Sequence, residues 1–172
     1  MQNVKTLSAL AALLLWVVPS LVAQPRLPDG SRKAMLEMTS RMADIDSSLP
    51  VKHYSLAQRV SLLKQLYRID QRYRDSLEDS AHPSFRQQLF THRMVVNDQA
   101  NQVLLGKLVD TFGWPTQQQY GEQGTRIAWL IVWHAKLDYQ RRYYPLMRKA
   151  YQQGLIRQDP SQIGERLKRF SK

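Results

Sequence analysis

Polar residues that could do chemistry fall into three groups, each with members three or four positions apart. The groups are Asp70 with Arg74, Asp98 with Asn101, and His134 with Asp138 and Arg141. On a helix this spacing puts the members of a group on one face, and each group continues an apolar stripe. Burying an unpaired polar group costs about 1–3 kcal/mol. We therefore expect the three groups to converge and to pair with one another.

A structural role is the first interpretation of these groups. Asp70 would pair with Arg74, and Asp138 with Arg141 or Arg142. The paired groups would form a satisfied network in the helical core that fixes the register of the helices. Such a network needs no ligand and no reaction.

A divalent metal site is the second interpretation. His134 and Asp138 are one turn apart on the expected helix, and Asp70 and Asp98 would complete a carboxylate-rich ligand set. Such a set suits a hard or borderline cation, and the protein would then be a metal-dependent hydrolase. The HxxxD spacing is a weak signal, because it is one histidine short of the usual paired pattern.

Metal-free catalysis is the third interpretation. His134 would be a general base oriented by Asp138 or Asp98, and Arg141 or Arg74 would bind an anionic substrate. No activated nucleophile is evident near these residues in the sequence. This favours binding without turnover over an enzyme.

Ligand binding without chemistry is the reading on which we settle. The ligand is expected to be small and polar or anionic, and no cofactor is required. The candidate contacts come from all three groups and from a tryptophan in the following loop: Asp70, Arg74, Asp98, Asn101, Trp114, His134, Asp138 and Arg141.

The elements that must position these residues are all expected to be helical. Apolar periodicity predicts a single all-α bundle of four long helices and one or two short C-terminal ones. The first helix carries a stripe of Met35, Met38, Met42, Ile45 and Leu49. By residue number, the expected helices cover 31–49, 55–79, 83–112, about 122 to 145, a short piece to 154, and 163–170.

Two features of these helices matter most for the polar groups. Residues 127–133, IAWLIVW, are apolar on every side, so the fourth helix should be central and should continue through His134 and Asp138. Pro145 should then kink or restart it. Gly113 should end the third helix, and the following WPT should form a rigid turn.

The first 23 residues are typical of a signal peptide, with Lys5 ahead of an apolar run and a small residue, Ala23, at the expected cleavage site. A retained membrane anchor is the alternative. Residues 24–30 are a proline-containing linker, and residues 31–172 form the domain. With no cysteine, the domain must be held by packing alone. We expect an exported protein, periplasmic or secreted, that is monomeric or weakly associating.

The mature chain is strongly basic, with 24 Lys/Arg against 14 Asp/Glu and a net charge of +10. Residues 141–172 hold nine of these cations and two acids. Outside the cytoplasm such a surface could attract an anionic membrane surface, an acidic glycan or an acidic protein. A solvated basic face without a partner is the alternative. No nucleic-acid motif occurs, so no nucleic-acid partner is expected.

The order of several motifs resembles an uncharacterised bacterial family, domain of unknown function 6624. The resemblance covers about residues 63–154, and its specific part runs from GWPT at 113–116 to HAKLD at 134–138. It implies a helical, often exported domain and no established activity. Members of that family continue through an LxDR element into a YGTQ segment. Here GERL at 164–167 is the only trace of this end, which implies a binding-only relative.

Overall fold

The computed structural model describes residues 30, 31, 33, 34, 38, 41–74 and 85–170. In these ranges the chain forms helices and no strand, so the all-α prediction is confirmed there. A short 3-10 turn at Val51–His53 precedes the helices. Residues 30, 31, 33, 34 and 38 are helical, and five further α-helices have described bounds: α1 (Leu56–Arg72), α2 (Phe85–Phe112), α3 (Gln117–His134), α4 (Leu137–Gln152) and α5 (Ser161–Arg169).

The core lies where α1, α2 and α3 pack against one another, and α4 packs on α3 and α5. Its fully buried side chains are mainly aliphatic: Leu63, Leu66, Leu104, Leu105, Leu108 and Ile131. Each aliphatic side chain buried in this way stabilises the fold by about 1.5–3 kcal/mol. This packing fixes the register of three helices, and therefore the positions of polar groups between them. None of the helices that the structure describes is long and apolar enough to cross a bilayer.

α1 begins where the sequence predicts. Ser55 accepts a hydrogen bond from the backbone N–H of Gln58, and the Gln58 side chain accepts one from the Ser55 N–H. This reciprocal capping box satisfies two donors that the first turn leaves unpaired. α1 ends at Arg72 with Tyr73 at its C-cap, and residues 75–79 of the predicted helix lie outside the described residues.

The turn between α2 and α3 contains the expected glycine stop and WPT turn, but α3 begins at Gln117, earlier than the predicted start near residue 122. Gly113 has a φ of +79°, the left-handed conformation that ends many helices. Trp114 and Pro115 are buried, and the Thr116 hydroxyl accepts a hydrogen bond from the Gln119 N–H at the start of α3. A second left-handed glycine, Gly121, interrupts α3 after its first turn.

The prediction of one helix through His134 and Asp138 is wrong. α3 ends at His134, Ala135 and Lys136 are extended with ψ values of 162° and 158°, and α4 begins at Leu137. A side-chain contact across the break stabilises this arrangement. The fully buried Gln140 side chain donates hydrogen bonds to the carbonyls of Val132 and Trp133, at 3.1 and 3.0 Å. These carbonyls belong to the last turn of α3, whose carbonyls have no i+4 helical N–H to accept from; the Val132 carbonyl also accepts from the Ala135 N–H at 3.1 Å.

The restart that was one predicted alternative at Pro145 does not occur, because α4 continues through this residue. Pro145 is exposed. The carbonyl that loses its helical partner to the proline ring therefore lies on the solvent side of α4, where water can replace the missing N–H.

The first predicted helix does not extend to Leu49. Residues 41–50 form turns and bends, and Met38 and Met42 of the methionine stripe are 64% and 60% exposed. Local side-chain bonds compete with the helix here. Asp46 accepts from the Ser48 N–H and hydroxyl, at 2.8 and 2.7 Å. Met35 lies outside the described residues.

The fourth predicted helix corresponds to α3, and only one face of α3 packs against the core. Ile127, Ala128, Ile131 and Val132 are buried, which is the pattern of a helix face against the core. Trp129 and Trp133 are half-buried, and their rings stack with centroids 5.4 Å apart. An apolar run of this kind therefore does not require neighbours on every side, because two indole rings can cover each other.

Candidate functional site

A polar cluster lies where the C-terminal ends of α1 and α3 meet the first half of α2. We call it the His134 cluster, and it consists of Asp70, Arg74, Asp98 and His134. At its centre Asp70, only 2% exposed, lies with Oδ1 3.0 Å from His134 Nδ1. The other oxygen of Asp70 accepts from Gln71 Nε2 at 2.5 Å. Both oxygens of this buried carboxylate are therefore bonded.

Arg74 joins the two carboxylates of the cluster. Its Nη2 donates to both oxygens of Asp98, at 2.6 and 2.7 Å, and lies 3.4 Å from Asp70 Oδ1. Its Nη1 lies 3.4 Å from Met94 Sδ. The guanidinium charge is therefore directed at carboxylates of the protein itself.

The two carboxyl groups respond oppositely to this environment. Burial acts to raise the pKa of Asp70, but the hydrogen bond and charge of His134, with the charge of Arg74, outweigh burial and lower that pKa. Burial raises the pKa of Asp98, and Arg74 offsets only part of that effect. The nearby Asp70 charge adds to the rise. Asp70 is thus the fixed anion of the pair, and Asp98 is the one that more readily takes a proton.

His134 is oriented by Asp70. A carboxylate only accepts hydrogen bonds, so the ring nitrogen facing it, Nδ1, carries a proton. In the neutral ring Nε2 is then an acceptor. In the described part of the chain nothing bonds Nε2, and the His134 side chain is 20% exposed. The cluster therefore presents an oriented imidazole nitrogen at its solvent side.

Asp138 and Arg141 are not part of the His134 cluster, contrary to expectation. The Asp138 side chain is 95% exposed and accepts from Arg141 Nη1 at 2.8 Å. Arg141 also donates to the Phe170 carbonyl at 3.1 Å, at the end of α5. Both residues follow the break at residues 135 and 136. His134 and Asp138 therefore lie on different helices and do not share a helix face. The expected Asp138–Arg141 pair forms, but on the surface of α4.

Asn101, three residues after Asp98 on α2, is a buried residue that links α2 to α1. It is fully buried, and its Nδ2 donates to the Leu66 carbonyl of α1 at 3.1 Å. No described residue bonds its Oδ1. The amide therefore contributes to the register of α1 and α2.

Trp114 is distant from the cluster, although the sequence suggests it as a contact. It follows the end of α2 at Phe112, fourteen residues beyond Asp98. A helix rises about 1.5 Å per residue, so the end of α2 lies about 20 Å from Asp98 along the helix axis. Trp114 is 7% exposed and packs in the core.

A second polar network was missed by sequence reasoning. Asp44 accepts hydrogen bonds from Arg72 at 2.9 Å and Asn97 at 3.1 Å, and it also pairs with Arg93. The Asp44 N–H donates to Asn97 Oδ1 at 2.7 Å. Asn97 is 1% exposed and is four residues before Asn101, so a buried amide here was readable from the same spacing. The partner Asp44 was not, because it comes from the segment that was predicted to be helical.

The expected metal ligand set does not form. Asp138 is exposed elsewhere, and the oxygens of Asp70 and Asp98 are bonded to His134, Gln71 and Arg74. Within the described ranges no group of three or more His, Asp or Glu residues is placed to hold a metal ion. Any metal at the cluster would first have to displace Arg74.

No family model, no curated protein and no solved structure matches the chain. The resemblance to domain of unknown function 6624 therefore stays a prediction. The geometry of the His134 cluster is therefore the basis for assigning a function.

Proposed function

We propose that the chain is an exported helical binding protein whose ligand is a small polar molecule that donates a hydrogen bond to His134 Nε2. One observation supports this most directly. A buried carboxylate holds Nδ1 of a partly exposed histidine, and no described residue bonds the other ring nitrogen. A purely structural network would be expected to use both nitrogens, because an unpaired polar group contributes nothing to helix register.

The charge of the cluster favours a neutral or cationic ligand. Asp70 and Asp98 are opposed by Arg74 alone when His134 is neutral, so the formal charge of the cluster is −1. The Arg74 Nη2 that could bind an anion is already hydrogen-bonded to Asp98. An anionic ligand therefore does not suit this site. Amines, amidines, amides and sugar hydroxyls are the ligand groups that fit.

Export remains part of the proposal. It rests on the apolar segment that follows Lys5 and on the small Ala23 at its end. Secreted protein beginning at Gln24, seen by mass spectrometry, is the expected form. Retention of the whole N-terminal segment on the membrane would contradict this part.

Acid–base catalysis is the second candidate function. A buried aspartate that orients a histidine through Nδ1 is the arrangement that makes Nε2 a general base in hydrolases. The distance of 3.0 Å between Asp70 and His134 favours it. Turnover of ester, amide or glycoside substrates that is lost in His134→Ala would support catalysis, whereas binding without turnover supports the first proposal.

Ligand binding can be tested by the thermal shift of the mature chain in a panel of amines, amidines, amides and sugars. We expect at least one class to raise Tm, and His134→Ala to abolish the shift. His92→Ala is the matched control, because His92 is an exposed histidine on α2. No shift with any class, or an equal loss in the control, would contradict the proposal. If no class shifts Tm and His134→Ala is strongly destabilised, the cluster is structural.

A further inference from the structure

A cleft between α4 and α5 lies apart from the helices that form the His134 cluster. Its volume is about 410 Å³, which is in the size range of a small-molecule site. Five of its lining residues have polar side chains: Tyr144, Arg148, Ser161, Glu165 and Lys168. Arg148 and Lys168 come from different helices, so two cations face one space.

The cations of the cleft have no ion-pair partner within the described ranges. In contrast to Arg141, Arg142 and Arg157, which pair with carboxylates, neither Arg148 nor Lys168 forms an ion pair or hydrogen bond with any described side chain. The hydroxyl of Ser161 and the carboxylate of Glu165 are also unbonded within the described ranges, although the Ser161 N–H donates to Asp159. Polar groups of two helices thus converge without neutralising one another.

The local packing brings the two helices close at this cleft. Gly164 is buried in the middle of α5, and a Cβ at this position would lie 2.3 Å from Tyr144 Oη. Only glycine lets the Tyr144 ring lie this close to the α5 backbone. The hydroxyl of Tyr144 therefore lies against the α5 backbone at Gly164, and both residues line the cleft.

We propose that this cleft binds a phosphate-bearing anion, with Arg148 and Lys168 as charged contacts and the hydroxyls of Tyr144 and Ser161 as hydrogen-bond donors. Arginine and lysine together are well suited to phosphate, since one offers a planar fork of donors and the other a compact charge. Glu165 at the cleft leaves a net charge of +1 rather than +2. The site is distinct from the His134 cluster, whose own charge disfavours anions.

The ligand chemistry has two possible sources, a soluble phosphate ester and the headgroup of an anionic phospholipid. Binding is measured with glycerol phosphate by calorimetry and with phosphatidylglycerol vesicles by co-sedimentation, both at low and at physiological salt. Binding to glycerol phosphate assigns a soluble ligand. Binding to vesicles alone assigns a lipid headgroup.

The test variant is the double substitution Arg148→Gln and Lys168→Gln. Loss of two charge-assisted contacts should weaken binding roughly tenfold or more. The matched control is Lys149→Gln with Arg166→Gln, which removes the same charge from the same helices outside the cleft. Both control residues are exposed, and the control should change Kd by less than about threefold.

A third variant, Glu165→Gln, tests the sign of the effect. Removing the carboxylate from the cleft should strengthen anion binding. Equal weakening by the cleft and control substitutions would overturn the proposal, because it would show a diffuse basic surface. No binding of either probe, or weaker binding in Glu165→Gln, would overturn it as well. Circular dichroism of each variant checks that the helices are retained.

Discussion

Asp70 and Asp98 show how two like residues in one cluster take different roles. Burial acts to raise the pKa of each, yet only Asp70 has His134 within hydrogen-bond distance, and its pKa is lowered. Asp98 faces Arg74 alone, and its pKa is raised. Sequence reasoning selected both residues from their place in apolar stripes. It could not assign their roles, because those depend on which residue of α3 reaches which carboxylate.

Replacing Asp70 by Asn should destabilise the protein at neutral pH by about 1–3 kcal/mol, because a buried charge-assisted bond is lost. The pKa of Asp70 in the folded state is below its unfolded value. Its ionised form therefore stabilises the fold above that unfolded value, about pH 3.9, and this contribution is lost as pH falls through the folded pKa. Urea unfolding from pH 7 down to pH 2.5 should show that the free energies of unfolding of Asp70→Asn and of the unmodified protein become more similar as the pH falls. A constant difference would contradict the assigned shift.

Replacing Asp98 by Asn should show the opposite pH dependence. The pKa of Asp98 is raised in the folded state, so its contribution to stability is present below the unfolded pKa and is lost as pH rises through the folded pKa. Asn cannot ionise, so Asp98→Asn should cost less stability at pH 7 than at pH 3. The same unfolding series measures this. A cost that grows with pH would mean that Arg74 outweighs burial at this residue.

The break between α3 and α4 decides which residues the cluster contains. The HAKLD segment carries no proline and no glycine, so local sequence gave no reason to end a helix there. The signal was Gln140, a polar residue that occupies a buried position of α4 beside Tyr143 and Met147. Its bonds to the end of α3 separate His134 from Asp138. Local features such as the Ser55 capping box and the Gly113 stop were predictable, because they depend on neighbours in sequence.

Replacing Gln140 by Leu should destabilise the protein by about 1–3 kcal/mol, because the Trp133 carbonyl loses its donor and the Val132 carbonyl keeps only the Ala135 N–H. Lys149→Leu on the exposed side of α4 is the control and should change the free energy of unfolding by no more than about 0.5 kcal/mol. Equilibrium urea unfolding measures both. A neutral Gln140→Leu would show that water satisfies the carbonyls, and that another contact holds the break.

Across the whole molecule, charge separates two surfaces with different ligand preferences. With His134 neutral, the His134 cluster is formally −1, whereas cations on α4 and α5 have no ion-pair partner among the described residues: Arg148, Lys149, Arg166 and Lys168. The basic character of the C-terminal region was readable from composition. Composition does not show which of these cations form ion pairs, as Arg142 does with Asp110, because pairing depends on how α4 packs against α2. The fold class was predictable from apolar periodicity, since this pattern determines which helix faces are buried.

The His134 ring itself gives the most direct test of the account. In the ¹⁵N-labelled mature protein, NMR should show the neutral ring protonated at Nδ1, with Nε2 unprotonated. Titration with amines, amidines, amides and sugars should move the Nε2 resonance for the class that binds, while the His92 resonances stay unchanged. A neutral ring protonated at Nε2, or an Nε2 resonance that no class of compound moves, would contradict the claim that His134 is an oriented ligand contact.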